Sequence, residues 1–259
     1  MHGCLPPETC AFFFNNFALL LPRVGSVRYT VGMRLSIIIP VYNEVATFRD
    51  VLKRVDETKF SIEKELIIVD DFSTDDTREL LKSEFDGKYK VCYHDKNYGK
   101  GHAVRTGIAA ATGDYITIQD ADLEYDPADL VPMLEKMIAE DLTVLYGARN
   151  DASNRNRPTG VAYYFGGVVV TLVMNLLYGQ HLTDGMTCYK MYKGDFLKKM
   201  PLKSERFEIE PELMALTAKQ GIKIQEFPIS YKPRKVKEGK KIKWTDGVRC
   251  IVTLIKYRL

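Results

Sequence analysis

The chain has 259 residues and its charges nearly cancel, with 37 Lys and Arg against 34 Asp and Glu and a formal net charge of +3. At 46% hydrophobic and 27% charged residues, the composition is that of a globular protein and excludes disorder, collagen and coiled coil. The weak positive balance also excludes a strongly basic nucleic-acid-binding domain.

The 5 cysteines (Cys4, Cys10, Cys92, Cys188 and Cys250) contain no CxxC pair, and the 4 histidines contain no HExxH arrangement. Neither a disulfide framework nor a zinc site follows from that spacing, and a reducing compartment is expected. Any metal must be held by oxygen.

Residues 1–32 have no period, and their apolar run around Phe12 to Leu21 includes two Asn. That run is shorter than the ~20 residues of a bilayer span and lacks the preceding positive charge of a signal peptide. The fold is therefore expected to begin near Met33, with 1–32 as a loosely held extension. A single domain is expected over 33–259.

From Met33, short apolar runs alternate with helical stretches. Strands are predicted at Leu35–Ile39, Glu65–Val69, Lys90–Tyr93, Tyr115–Ile118 and Thr143–Tyr146. Helices are predicted at about Val45–Glu57, Thr74–Phe85 (capped by Ser73 or Thr74), His102–Ala111 and Pro127–Glu140. This alternation describes an α/β domain built on a mostly parallel sheet with helices on both faces. Ligands of such sheets bind beyond the carboxyl ends of the strands.

Those ends carry Pro40-Val41-Tyr42-Asn43-Glu44, Asp70-Asp71 and Asp120-Ala121-Asp122-Leu123-Glu124. No GxGxxG turn or P-loop motif accompanies them, which excludes the common dinucleotide and P-loop sites. Carboxylates converging on one sheet edge repel unless a cation shares them. Asp120 and Asp122, two apart on an extended strand end, would face the same side and suit a divalent metal. Asp75, Asp76 and Asp126 are expected to be helix caps.

The segments PVYNE, IVDDFSTDDT, NYGKG and QDADLEYDP resemble glycosyltransferase family 2, inverting nucleotide-sugar transferases of the GT-A fold. TDGMTCYKMY, FEIEPEL, EFPISYKPR and EGKKIKW are similar to one branch, the dolichol-phosphate mannose synthases and bacterial polyprenyl-phosphate glycosyltransferases. The resemblance implies a GT-A fold with a Rossmann-like central sheet and amphipathic helices in the C-terminal half. Residues 33–150 would bind the nucleotide sugar, and 151–259 would serve the acceptor and the membrane interface.

By the same resemblance Pro40, Tyr42, Glu44, Val69 and Asp71 hold the nucleoside, and Ala121 packs on the nucleotide. Asp120 and Asp122, with Glu124, hold Mg or Mn. Arg149, Arg234 and Lys240 meet the donor's phosphates, so Asp120, Asp122, Arg234 and Lys240 form the expected catalytic set. Phe72 stands where the family more often has Gly.

The implied reaction moves a hexose, mannose from GDP-mannose, onto a polyprenyl phosphate, with glucose from UDP-glucose as the alternative donor. A family 2 transferase acting on a sugar hydroxyl and a non-catalytic nucleotide-sugar-binding subunit are the alternatives. A phosphate acceptor is already an anion and needs no general base, whereas a hydroxyl does. Asp184 and Glu210 are the acceptor-side residues that could act as base. Glu210 equally suits dipole compensation at a helix start. The Gly99-Lys100-Gly101 loop reads as a tight strand-to-helix turn.

No formal charge occurs from Pro158 to Thr183, a stretch that fits a buried core helix or a helix lying in the membrane interface. Lys232 to Lys243 is rich in Lys and Arg and could meet donor phosphates or anionic lipid. The stripe Trp244, Val248, Ile251, Val252 and Ile255 is expected to cap the core. The protein is expected at the cytoplasmic face of a membrane as a peripheral enzyme, alone or with a membrane partner subunit.

Overall fold

The computed structural model describes residues 32–149, 161–234 and 244–259. The expectation for residues 1–32 thus lies outside the described residues except at Gly32, and Lys240 lies outside them too.

The centre of the molecule is β1 (Arg34–Val41), whose Leu35, Ile37, Ile38 and Ile39 are fully buried. It runs parallel to β2 (Glu63–Asp70) on one side and to β4 (Tyr115–Ile118) on the other. Beyond β2 lies β3 (Lys90–Tyr93), also parallel. Such β-branched runs, apolar on both faces, suit a strand covered by helices above and below.

The sheet continues past β4 through β6 (Lys190–Lys193), antiparallel to both of its neighbours, to β5 (Val144–Ala148) and then β7 (Gln225–Pro228), parallel to β5. The order among the described residues is β3-β2-β1-β4-β6-β5-β7. The fold is therefore the expected α/β sheet, mostly parallel. Strands β6 and β7 go beyond the expected alternation and bring the second half of the chain into the same sheet.

Helix α1 (Phe48–Glu57) buries Phe48, Val51, Leu52 and Val55, one face at i, i+3, i+4 and i+7. It starts later than Val45 because Glu44–Thr47 forms a turn, in which the amides of Thr47 and Phe48 donate to the Glu44 carbonyl. Helix α2 (Thr77–Leu80) runs into a π-helical turn at Leu81–Phe85.

Ser73 and Thr74 do not cap α2. Ser73 Oγ accepts the Asn43 amide and Thr74 Oγ1 accepts Asn43 Nδ2, tying the β1 and β2 loops together. Asp75 does the capping, through Thr77 N, and also accepts from Val45 N. Asp126 caps Ala128 as expected, whereas Asp76 makes no side-chain cap bond.

Helix α3 (Lys100–Ala110) follows β3, and α4 (Leu130–Ala139) precedes β5. The second half adds α5 (Val161–Tyr178), short α6 (Gly194–Lys198), α7 (Ile209–Lys219) and α8 (Trp244–Arg258). Helices α5, α7 and α8 pack on one another.

The α8 stripe departs from expectation. Val248, Val252 and Ile255 are exposed, while Cys250, Leu254 and the charged Asp246 are buried. On α5, Val168, Leu172 and Leu176 are exposed at intervals of one helical turn, with Leu176 at 75%. Period reveals a face but not the direction in which it points.

Candidate active site

Three turns leave the carboxyl ends of β1, β2 and β4, and each contains a non-glycine residue with positive φ: Asn43 (51°), Phe72 (63°) and Leu123 (60°). Strain of this kind persists only where the surroundings hold it, and it concentrates at functional sites. Phe72 shows why Gly suits its position, since a residue with a Cβ is strained in the left-handed region. Here the Arg78 guanidinium lies over its ring, 5.1 Å from the centroid.

The turns are cross-braced. Asn43 Oδ1 accepts the Thr74 and Asp75 amides, and Thr47 Oγ1 lies 2.8 Å from both Ala121 O and Glu44 Oε2, either of which can accept its one proton. Between them opens a cleft of about 550 Å³ lined by Glu44, Thr47, Asp122, Leu123 and Arg234. Arg234 spans it, donating from Nε to Asp122 O (2.7 Å) and forking onto Glu44 with Nη2 at 2.9 Å and Nη1 at 3.3 Å. The structure therefore brings Glu44, Asp122 and Arg234 together at one cleft.

The other nucleoside residues differ among themselves. Pro40 and Tyr42 are half-buried at the mouth of β1, while Ala121 is buried beside Asp122. Val69 is fully buried in the sheet. Asp71 is buried too, and its carboxylate accepts from Tyr98 N (2.9 Å), Gly99 N (2.7 Å) and the His94 ring (Nδ1, 2.8 Å). It pins the loop that carries Lys100.

That loop contains the residue left out of the sequence-derived site. Lys100 Nζ stands 2.8 Å from Asp120 Oδ1 and 3.6 Å from both Glu210 Oε1 and Cys188 Sγ. Glu210 pairs in turn with Lys190 Nζ, on a side chain with no exposure. The result is a run of alternating charge, Asp120–Lys100–Glu210–Lys190, from the β4 turn into the interior.

Gly99 and Gly101 make the loop possible. Gly99 has φ +100°, and a Cβ there would meet Glu205 O at 2.5 Å; at Gly101 it would meet the carbonyls of Ser204 and Arg206, each at 2.7 Å. A lysine held between two obligatory glycines at a helix start was the available signal for Lys100.

Charge at the turn is uneven. Burial alone would raise the Asp120 carboxyl, but the Lys100 ammonium holds it below its ordinary value. At Asp122 burial, followed by repulsion from Asp120 and Glu124, outweighs the nearby Arg234 and pushes its carboxyl up to about 7.

Glu124 is turned elsewhere, its Oε2 accepting Tyr231 Oη and its Oε1 the Arg234 amide, each at 2.7 Å. Among the described residues no group of three His, Cys, Asp or Glu side chains is placed to hold a metal ion. The expected trio of Asp120, Asp122 and Glu124 is therefore not assembled. The excess negative charge at Asp122, with Asp120 beside it, still fits a hard divalent cation, and Mg needs only one or two protein carboxylates.

On the far side Arg149 is clamped by Asp184, Nε to Oδ2 at 2.6 Å and Nη2 to Oδ1 at 2.8 Å. Burial would lower the arginine's pKa, but the Asp184 carboxylate raises it well above its ordinary value. The guanidinium also lies 5.0 Å from the centroid of the Tyr231 ring.

An α/β sheet whose carboxyl edge carries an acidic turn facing an arginine has the organisation of a GT-A glycosyltransferase. Solved structures agree on the fold. Glucosyl-3-phosphoglycerate synthase from Mycobacterium tuberculosis, in complex with Mn2+, uridine diphosphate and phosphoglyceric acid, matches with a TM-score of 0.66 at 18% identity, over 88% of this chain and 80% of that one.

The sequence model of glycosyl transferase family 2 matches residues 36–200, and the chain belongs to that family. Its relatives include glycosyltransferase AglJ of Haloferax volcanii, 30% identical over 76% of this chain and 63% of that protein. An undecaprenyl-phosphate 4-deoxy-4-formamido-L-arabinose transferase of Klebsiella pneumoniae is 26% identical over 82% of this chain and 64% of its own length. A dolichol-phosphate mannosyltransferase of Pyrococcus furiosus is 34% identical over 45% of this chain and 33% of its own. The chain thus matches between a third and two thirds of the length of these relatives.

Proposed function

We propose that the protein transfers a hexose from a nucleotide sugar to a polyprenyl phosphate with inversion, using Mg or Mn, and that mannose from GDP-mannose is the transferred group. Relatives named as polyprenyl- and dolichol-phosphate transferases support the acceptor class. The observation that carries the reading is that Asp184 and Glu210, the two side chains considered as bases, are engaged in ion pairs with Arg149 and with Lys190 and Lys100. Deprotonating a sugar hydroxyl would require one of them to leave its partner. A phosphate oxygen needs no base.

In this reading the acceptor phosphate oxygen forms a bond to sugar C1 as the bond from C1 to the donor diphosphate breaks, and the nucleoside diphosphate departs. Arg234 exchanges its Glu44 fork for the diphosphate oxygens and offsets the charge growing there. Lys100 fixes the Asp120 carboxylate, and Asp120 and Asp122 would be the two carboxylates holding the ion. A divalent cation bound there would act as a Lewis acid toward the leaving group.

A panel of GDP-mannose and UDP-glucose, each offered undecaprenyl phosphate and a sugar-hydroxyl acceptor, tests the reading. Mannosyl transfer to the lipid phosphate, abolished by EDTA, is the expected result. Transfer only to the hydroxyl, or donor binding without turnover on any acceptor, overturns it.

The apolar faces of α5 and α8 support docking at a membrane. Exposed Val168, Leu172 and Leu176 on one helix and Val248, Val252 and Ile255 on the other are accompanied by exposed Arg249, Lys256 and Arg258. Among the described residues no helix is long and apolar enough to cross a bilayer, so the proposed mode is an interfacial one at the cytoplasmic leaflet. Leu176→Asp combined with Val252→Asp is expected to weaken co-sedimentation with vesicles containing anionic phospholipid by at least ~10-fold, with unchanged thermal stability. Unchanged vesicle binding would leave a membrane partner subunit to cover these faces.

A further inference from the structure

The segment Ser230–Arg234 crosses the mouth of the cleft as a strap, and one acidic side chain fastens most of it. Glu124 receives Tyr231 Oη on one oxygen and the Arg234 amide on the other, while its own carbonyl accepts the Lys232 amide at 2.8 Å. Upstream, Asp129 Oδ2 accepts Ser230 N at 2.8 Å and Ser230 Oγ at 2.5 Å. The positive φ of Leu123 turns the chain between Asp122 and Glu124. Of the two flanking acids, Asp122 lines the cleft and Glu124 is bonded to the strap.

We infer that Glu124 is a positioning residue, a latch that seats Arg234 over the donor site and is not itself a metal ligand. The chemistry is local. A carboxylate that accepts one hydrogen bond on each oxygen, from a phenol and a main-chain amide, holds two donors of the strap, and removing it frees both at once. Arg234 would then keep its fork on Glu44 without the main-chain anchor that sets its position. A Gln at position 124 preserves the latch, since its oxygen accepts the Arg234 amide and its NH2 donates to the Tyr231 hydroxyl, which can accept. A metal ligand would show itself in Glu124→Ala, which leaves no side-chain oxygen to hold the cation, since the carbonyl oxygen of Gln can still bind one.

The inference rests in part on the metal and donor reading above, so the test separates the two. Hydrogen exchange at the Arg234 amide, measured by mass spectrometry on the full chain, needs neither ligand. In Glu124→Ala exchange is expected to be roughly 10-fold faster or more, and in Glu124→Gln close to wild type. Binding of Mn2+ alone, followed by electron paramagnetic resonance, should be unchanged in both variants and lost in Asp122→Asn. With Mn2+ present, GDP or UDP should bind Glu124→Ala roughly 10-fold more weakly and Glu124→Gln normally.

Tyr231→Phe removes one bond without removing the acid and should shift nucleotide binding in the same direction, which covers failure of the alanine variant to fold. Unchanged Arg234 exchange in Glu124→Ala overturns the inference, as does weakened binding of Mn2+ alone in Glu124→Ala. Should Asp122→Asn bind Mn2+ as wild type does, the metal reading fails while the exchange result still decides the latch.

Discussion

Asp122→Asn is expected to lower kcat/KM by at least ~1000-fold, since removal of one preorganised electrostatic group from a site of developing charge has effects of that order. It should do so without loss of stability. The folded protein holds the Asp122 carboxyl at about 7 through burial and the charges of Asp120 and Glu124, so the folded state binds a proton there more tightly than the unfolded state.

The sign follows from linkage. From the ordinary carboxylate range up to about 7 the folded state carries more protons at this group, and its contribution makes the metal-free protein less stable as pH rises. Asparagine removes that slope, and a bound cation would remove it by displacing the proton. Thermal melts of wild type and variant at pH 5 and pH 8, with and without Mn2+, read the effect beside the kinetics. An active Asp122→Asn enzyme would refute the assignment of the β4 turn.

Glu210→Ala has the second large effect, and it should appear in stability first. Glu210 is buried and faces both Lys190, whose side chain has no exposure, and Lys100. Deleting it strands a buried ammonium, an event worth about 3–5 kcal/mol, which in a chain of this size corresponds to a fall in melting temperature of roughly 6–20 °C. Urea and thermal unfolding would measure it. Turnover of the protein that remains folded reads the other role, since a general base would take it away and a structural ion-pair partner would not. The difference bears on function, because a base is what a hydroxyl acceptor needs and a phosphate does not.

Much of this arrangement was legible in advance, for reasons that differ by element. Runs such as Ile37-Ile38-Ile39 and Ile67-Ile68-Val69 announce buried strands because nothing but a doubly covered sheet hides them. Strand β6 was hidden because its first residue, Lys190, is charged, and it lies inside by pairing with Glu210, donating to Thr187 O and meeting the Tyr146 ring. The acids at the strand ends were visible as a cluster, but a one-dimensional pattern does not distinguish Asp122, which faces the cleft, from Glu124, bonded to Tyr231 and Arg234. Arg149 and Asp184 were both singled out, yet their mutual pairing across 35 positions could be seen only in three dimensions. In α8 the apolar spacing was correct and its direction was not, since Asp246 sits inside and Val252 outside.

The two glycines flanking Lys100 also set how closely two parts of the chain can approach. With no room for even one methyl group between them and the main chain of 204–206, the lysine loop and the segment leading into α7 are pressed together backbone to backbone. The His102 amide closes that contact by donating to Glu205 O at 3.0 Å, so a side chain at either glycine would have to part the two segments.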